Sequence, residues 1–201
     1  MQVRAARTRE ILIRGAAECM DTEGYRGATL TAISKLCNVS IGALTFHFPD
    51  KTSLAAAVVR AGAATARTAL EATPAPDQGP EPDDPDSALR AVGALLHALT
   101  ELIERDVVVR VAALLARERA DIAADWHEAW LPRLVELAER ADARGELAPG
   151  AEPRLVAGLV GWLLAAAEAY PRTASGRHTD FRGEVARAWP LIERGIARSA
   201  V

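Results

Sequence analysis

The stretch TLTAISKLCNVSIGALTFHF, residues 29–48, decides the fold because it predicts two short helices joined by a tight turn. Ile33 and Leu36 fall three apart, which places them on one apolar helical face. The predicted helices cover roughly 31–37 and 41–47, so residues 38–40 separate them. This spacing is typical of a helix-turn-helix, a motif whose second helix lies in the major groove of DNA.

The residues at the ends of the two helices support this prediction. Thr29 or Thr31 can cap the first helix, since the hydroxyl accepts a hydrogen bond from an otherwise unpaired backbone N–H. Asn38 tolerates the left-handed conformation that ends helices, and Val39 can pack into the core. Ser40 is a strong cap for the second helix.

The rest of the 201-residue chain also predicts helices. Half of the residues are hydrophobic and only 4% are aromatic, and β-branched residues are sparse, which favours an all-α protein over a sheet. Leu12, Ala16 and Met20 stack four apart on a first helix, which Gly24 should end. With this first helix included, the predicted helices outside the motif cover about 4–23, 51–70, 88–105, 107–119, 124–143, 153–170 and 180–198.

Charge is distributed unevenly along the chain, although the net charge is only −3. Residues 1–70 contain nine Lys and Arg against five acids, whereas residues 71–201 contain fifteen against twenty-two. The basic N-terminal part, which we call the head, suits contacts with phosphates. The acidic remainder, which we call the body, indicates a different function.

The predicted domain organisation follows these patterns. Residues 73–87, TPAPDQGPEPDDPDS, contain five prolines and five acids, too polar a composition to form a packed core, so we expect a mobile loop. The predicted parts are a DNA-binding domain over 1–50, a connecting helix over 51–72, this loop, and a ligand-binding and dimerisation domain over 88–201.

Several classes of protein are not supported. The chain has no Gly-rich phosphate loop, CxxC, HExxH or GxSxG motif, so no catalytic residues, metal ligands or cofactors are predicted. Cys19 and Cys37 lack metal-ligand spacing and are interpreted as buried thiols. No signal peptide is evident, and the longest apolar run, 155–167, is too short to span a bilayer, so we expect a cytoplasmic protein.

Trp126 and Trp130 are the most informative residues of the predicted body. Their four-residue spacing would place both indoles on one face of a continuous helix. This face is either ordinary core or the wall of a cavity for a small, mostly apolar ligand. The candidate ligand-binding residues are Val92, Leu96, Leu99, Val111, Leu115, Trp126, Trp130, Leu159 and Trp162.

Basic and polar residues around the helix-turn-helix favour DNA binding over a helical hairpin without a nucleic-acid role. Arginines and a lysine flank the motif and are expected to contact phosphates, while the start of the second helix approaches base edges. The candidate DNA-binding residues are Arg4, Arg7, Arg9, Thr29, Thr31, Ser40, Ile41, Gly42, Ala43, Thr45, Phe46, His47 and Lys51.

The head resembles the TetR family of one-component repressors. The resemblance is carried in order and spacing by Gly24, Tyr25, Thr29, Ile33, Val39, Ser40, Gly42, Ala43, Leu44, Phe46, His47, Phe48 and Lys51. It implies a three-helix head, a connecting fourth helix, a helical ligand-binding body, and a homodimer built by the last two long helices.

Within that family, most of the chain resembles, more loosely, the γ-butyrolactone receptors of antibiotic-producing actinomycetes. The residues that carry this similarity are GALTFHF at 42–48, RDVVVR at 105–110, Trp126, GEL at 145–147, and SGR at 175–177 with Trp189 and Pro190 downstream. Trp126 matches the pocket tryptophan of those receptors, which favours the ligand interpretation over plain core.

Two residues of the second helix depart from the family pattern. Most relatives have a tyrosine where this chain has Thr45, and many have Lys or Arg where Ile41 stands. Ile41 cannot donate a hydrogen bond to guanine, although it could contact a thymine methyl group. We therefore expect an operator preference that differs from that of the relatives.

The resulting hypothesis is a homodimeric repressor that binds a pseudo-palindromic double-stranded operator and releases it on binding a small-molecule inducer. The inducer could be a γ-butyrolactone, a furan or butenolide signal, or an end-product antibiotic. The alternatives are a helical small-molecule-binding enzyme and a module that docks onto a protein partner without binding DNA.

Overall fold

The computed structural model describes residues 2–71, 87–169 and 181–198, and these ranges are helical with no named strand. The predicted loop over 73–87, apart from Ser87, and the SGR motif lie outside the described residues. The helices are α1 (Gln2–Gly27), α2 (Leu30–Leu36), α3 (Ile41–His47), α4 (Lys51–Glu71), α5 (Ala88–Arg105), α6 (Val107–Glu118), α7 (Ala124–Glu128), α8 (Leu131–Ala143), α9 (Pro153–Ala169) and α10 (Phe181–Ile196).

The chain divides into two compact units. The first comprises Met1–Thr65 and Arg105–Glu128, and the second comprises Ala66–Glu104 and Ala129–Val201. Helices α6 and α7 therefore group with the head, a division that differs from the predicted one. No helix in the described ranges is long and apolar enough to cross a membrane.

Helix α1 forms the base of the first unit. Leu12, Ala16 and Met20 are fully buried, as their four-residue spacing predicts. Gly24 has φ 71° and ψ 166°, so it interrupts the helical backbone, but the helix resumes and reaches Gly27. The predicted end at Gly24 is therefore a kink, which glycine accommodates because it has no Cβ.

The predicted helix over 124–143 is two helices in the structure. Helix α7 ends at Glu128, and α8 starts at Leu131 with Pro132 in its first turn. In a continuous helix Pro132 would lose the hydrogen bond to the carbonyl of Glu128 and its ring would clash with that carbonyl. The proline is tolerated in the first turn of a new helix, where its missing N–H has no partner to lose.

Local signals end α8 and start α5 within the second unit. Gly145 has φ 70°, and the hydrogen bonds from its N–H to Asp142 and from Glu146 N–H to Ala141 form a Schellman motif. The Glu146 carboxylate then accepts hydrogen bonds from the N–H groups of Ala88 and Leu89, at 3.2 and 2.8 Å. The GEL stretch thus joins two helix ends, since a carboxylate satisfies unpaired N–H groups at a helix start.

Candidate DNA-binding surface

Helices α2 and α3 are held by the caps that the sequence predicts. Thr29 Oγ1 accepts a hydrogen bond from Ala32 N–H at 3.1 Å, and Ser40 Oγ accepts one from Ala43 N–H at 3.2 Å. These bonds define the starts of both helices, and they confirm Thr29, rather than Thr31, as the first cap.

The turn between the helices depends on Asn38. This residue has φ 51°, and the N–H of Val39 bonds to the carbonyl of Ser34 at 3.0 Å. The Ser34 hydroxyl also donates to the carbonyl of Val39 at 2.6 Å. The second bond was not predicted, because a serine inside a helix gives no sequence signal for a bond five residues ahead.

The buried side of the motif fixes the orientation of α3. Ile33 and Leu44 are fully buried and Phe48 is 3% exposed. Asp50 starts α4 directly afterwards, since its carboxylate accepts a hydrogen bond from Ser53 N–H at 2.7 Å. Burial of Leu44 determines which residues of the seven-residue α3 face solvent.

The solvent face of α3 contains Ile41, Gly42, Thr45 and Phe46, all exposed. Phe46 is 84% exposed and Ile41 47%, which is unusual for large apolar side chains. Thr45 Oγ1 lies 3.0 Å from the carbonyl oxygen of Ile41 and 3.2 Å from that of Gly42, so its hydroxyl proton is used within the helix. We call these four residues the reading face.

The other candidate DNA-binding residues of the head differ in the exposure and the contacts of their side chains. Arg7 and Arg9 are exposed on α1, and the Arg9 guanidinium lies 5.1 Å from the centre of the Phe48 ring. His47 is half-buried and its ring packs edge-on against Phe46, with centres 5.5 Å apart. Ala43 is also half-buried, Thr31 is exposed, and the side chain of Arg4 lies outside the described part of the chain.

Lys51 has a structural role that the sequence did not predict. Its Nζ donates to the carbonyl oxygens of Tyr25, Arg26 and Ala28, at 2.8, 3.4 and 3.0 Å. An ammonium group has three N–H donors, so all of them are used at the end of α1. The position of Lys51 argues against the predicted direct phosphate contact.

Tyr25 connects three helices of the first unit. The Lys51 Nζ lies 4.5 Å and the Arg119 guanidinium carbon 4.6 Å from the centre of its ring. Burial alone would raise the pKa of Tyr25, but the hydrogen bond with Thr52 and the charges of Arg119 and Lys51 lower it overall. These cation–π contacts join the end of α1, the start of α4 and the end of α6.

Helix α6 also packs directly onto the head. The Arg110 guanidinium forms two hydrogen bonds with the Asp21 carboxylate, at 3.2 and 3.1 Å, in a largely buried pair. A Cβ added to Gly62 of α4 would clash with Ala112 and would come within 2.9 Å of the Val108 carbonyl oxygen. Helix α6 is therefore bound to α1 by charge and to α4 by close packing.

The candidate ligand residues divide between the two units. Val111, Leu115 and Trp126 belong to the first unit and are buried, with Trp126 only 1% exposed. Five of the other six are buried or half-buried in the second unit: Val92, Leu96, Leu99, Trp130 and Leu159. The prediction that Trp126 and Trp130 share a helical face is wrong, because the break before Pro132 leaves Trp130 outside both helices.

Trp162 lies at the surface of α9 instead of in the interior. It is 67% exposed, and Leu155 on the same side of the helix is 52% exposed. On α10, which contacts α9, Leu191 is 63% exposed. Trp189 by contrast is 4% exposed and packs so closely on Gly93 that a Cβ there would clash with its indole nitrogen.

Two thiols and one imidazole also have shifted pKa values. Burial, with nearby Glu23, raises the pKa of Cys19, and burial likewise raises the pKa of Cys37, so both thiols stay protonated. Burial, with Arg182 nearby, lowers the pKa of His97, which keeps that imidazole neutral. No group of three His, Cys, Asp or Glu in the described residues could hold a metal ion.

Comparison with known families matches residues 12–58 to the bacterial regulatory proteins of the tetR family. This segment contains most of α1, the helix-turn-helix and the first residues of α4. The N-terminal part of the chain is therefore of the TetR type. Proteins of this family are bacterial regulatory proteins.

Other similar proteins match nearly the whole length of the chain. The A-factor receptor protein of Streptomyces griseus is 26% identical over 202 residues, an alignment that covers the whole chain and 67% of that protein. A structure solved in work on the control of antibiotic production by bacterial hormones has a TM-score of 0.65 at 26% identity, with 96% of this chain and 98% of that one covered. A γ-butyrolactone receptor described as ArpA-like has a TM-score of 0.72 at 22% identity, with 98% and 90% covered.

Proposed function

We propose that this protein is a dimeric repressor that binds a pseudo-palindromic operator, with one head on each half-site, and releases it when a small apolar molecule binds. The observation that carries the proposal is the reading face, a set of exposed side chains on a short helix whose two ends and buried side are fixed. A rigid helix with an exposed outer face suits insertion into the major groove.

The exposed apolar face of α9 and α10 supports the homodimer. Leu155 and Trp162 are seven residues apart and therefore on one side of α9, with half-buried Leu159 between them. Large apolar side chains in a row are costly to leave in water, and their burial against a second copy would relieve this cost. A two-fold axis through this face matches the symmetry of a palindromic operator.

The similarity to the A-factor receptor supports a ligand of the γ-butyrolactone class, and Trp126 is the residue we assign to it. The indole is 1% exposed, so a molecule that contacts it must enter the interior around α6 and α7. Binding there favours a conformation in which these helices have moved. A furan, a butenolide and an end-product antibiotic are the alternative inducers, and the test below compares the γ-butyrolactone with the butenolide.

The attachments of α6 provide a route from this ligand to the head. Displacement of α6 acts on α1 through the Asp21–Arg110 pair and on α4 through the contact of Gly62 with Ala112. Major-groove faces recur every ~34–36 Å along DNA, so a small change in head separation is enough to weaken binding. A coupling free energy of about 1–3 kcal/mol corresponds to a 5- to 150-fold loss of operator affinity.

Selection from random duplex DNA by the full-length protein tests operator binding. We expect enrichment of an inverted repeat, and the affinity for it should fall steeply as salt is raised, because phosphate contacts release counterions. Arg7→Met should reduce the salt slope by about one per protomer. Failure to enrich any duplex at low salt would contradict the proposal.

Titration of an alkyl-substituted γ-butyrolactone, and separately of the matching butenolide, into the operator complex tests the ligand assignment. Trp126→Ala should abolish release while leaving operator affinity within about twofold, and Trp126→Phe, which keeps an aromatic plane, should retain part of the response. Loss of operator binding in Trp126→Ala would show that the indole is structural. Release by neither compound would exclude both lactone classes.

A further inference from the structure

The reading face is apolar where a base-reading helix usually carries hydrogen-bonding groups. Successive helical residues are about 100° apart, so Ile41, Thr45, Gly42 and Phe46 follow one another within about 140° of α3, opposite the buried Leu44. Two of the four are large apolar side chains, exposed by 47% and 84%. This arc is what α3 presents to a partner.

The arc has no available side-chain donor, and α3 lies wholly within the described residues. Thr45, its one polar residue, donates its hydroxyl proton to carbonyl oxygens of its own helix. Gly42 contributes no side chain, and a Cβ added there would meet nothing within 4 Å. Internal packing therefore does not require glycine at this position, even though glycine in a helix is unfavourable relative to alanine.

We propose that this regulator recognises its operator through the C5-methyl groups of thymines, which Ile41 and Phe46 contact, with Gly42 allowing the backbone of α3 to approach the bases closely. In the major groove the thymine methyl is the apolar feature of the base-pair edges. Bidentate reading of guanine needs Arg or Lys, and α3 contains neither. This inference rests on the operator binding proposed above.

The test uses the duplex that the full-length protein selects from random DNA. A second duplex of the same sequence carries deoxyuridine in place of every thymine, which removes the methyl groups and leaves the hydrogen-bonding edges unchanged. Loss of one buried methyl corresponds to about 4-fold in affinity, so loss of the methyls under both side chains in each of two half-sites gives about 250-fold. Single deoxyuridine substitutions then locate the contacted thymines.

Two variants assign these thymines to side chains. Phe46→Ala and Ile41→Ala should each bind the normal operator more weakly and should each become insensitive to deoxyuridine at their own position. Both side chains are exposed, so the melting temperature should be unchanged. Ile11→Ala truncates another exposed apolar residue of the head, on α1, and serves as the matched control that keeps full sensitivity.

The possible results distinguish a failure of methyl recognition from a failure of operator binding. Equal affinity for the thymine and deoxyuridine duplexes, with tight binding to both, would overturn methyl recognition and leave the repressor intact. Weaker binding to the deoxyuridine duplex that persists undiminished in both variants would also overturn it, because the effect would then arise from DNA shape. Failure to select any duplex would instead contradict operator binding itself.

Discussion

The reading face of α3 and the exposed side of α9 both place large apolar side chains in solvent, but their surroundings differ. Phe46 and Ile41 lie on a helix of seven residues, next to a glycine and a threonine, in the part of the chain with excess Lys and Arg. Leu155 and Trp162 lie two turns apart on a helix of seventeen residues in the acidic part.

The function of an exposed apolar surface therefore depends on the residues around it. In a basic region, phosphate contacts supply most of the affinity for DNA. Isolated apolar side chains there suit contacts with single methyl groups of the bases. A longer apolar row on α9, with Leu191 also exposed on α10, suits another protein surface, where burial itself supplies the affinity. Substitutions on the two surfaces should therefore have different effects.

Trp162→Asp should separate the protomers, because it places a charge in the middle of the proposed dimer face. Operator affinity should fall by about 100-fold or more, since two linked heads gain that much over single heads. Native mass spectrometry and fluorescence anisotropy measure the two effects. Trp162→Phe should remain dimeric, as should Ala94→Asp, which adds a charge on the exposed side of α5. A dimeric Trp162→Asp protein would refute the assignment of this face.

Ile41→Arg should convert methyl reading into guanine reading at one base of each half-site. A bidentate Arg–guanine contact discriminates by about 1–3 kcal/mol, which corresponds to roughly 5- to 150-fold. Selection from random duplexes with the variant should return guanine where the parent protein selects thymine. Ile41→Met, which stays apolar, should still select thymine. An unchanged selected sequence for Ile41→Arg would mean that residue 41 does not approach the bases.

Lys51→Met should reduce stability and leave the salt dependence of operator binding nearly unchanged. The carbonyl groups of Tyr25, Arg26 and Ala28 lose their donor, at a cost of about 1–3 kcal/mol. Chemical denaturation and a salt series measure these quantities. Arg7→Met should show the opposite pattern, full stability with a shallower salt slope. A shallower salt dependence of operator binding for Lys51→Met would instead indicate that Lys51 contacts phosphate, as the sequence predicts.

Gly42→Ala should stabilise the protein slightly and weaken operator binding. The added methyl meets no protein atom, and alanine is favoured over glycine in a helix by about 1 kcal/mol. Gly62→Ala is the matched control, and it should destabilise the protein because its Cβ meets α6. Thermal unfolding and anisotropy measure both variants. Unchanged operator affinity in Gly42→Ala would mean that α3 does not approach the bases closely at this residue.

Features set by neighbouring residues were predicted well. Thr29 and Ser40 cap their helices, Asn38 adopts the left-handed conformation, and the helix boundaries at α2 and α3 agree within one residue. Each of these features depends on a hydrogen bond that spans a few residues. The division between α7 and α8 also has a local signal, because Pro132 favours the start of a new helix, whereas the four-residue spacing of the tryptophans indicates a continuous one.

The roles of Lys51, Arg119 and Arg110 could not be predicted, since each side chain meets a partner that lies far away in the chain. A lysine near a DNA-binding motif has the same local sequence whether it faces phosphate or backbone carbonyls. The exposure of Trp162 is of this kind too, because periodicity identifies an apolar face without saying whether the chain itself covers it.

The sequence by itself determined that residues 29–48 form a helix-turn-helix and that its second helix carries no Arg or Lys. Caps, turn and periodicity act over one or two helical turns, so they are written in adjacent residues. Only the tertiary structure decided that Phe46 and Ile41 face solvent, that the Thr45 hydroxyl bonds to its own helix, and that Lys51 fastens α1 to α4. Those facts depend on which side of each helix the core covers, and that choice is made by contacts between distant parts of the chain.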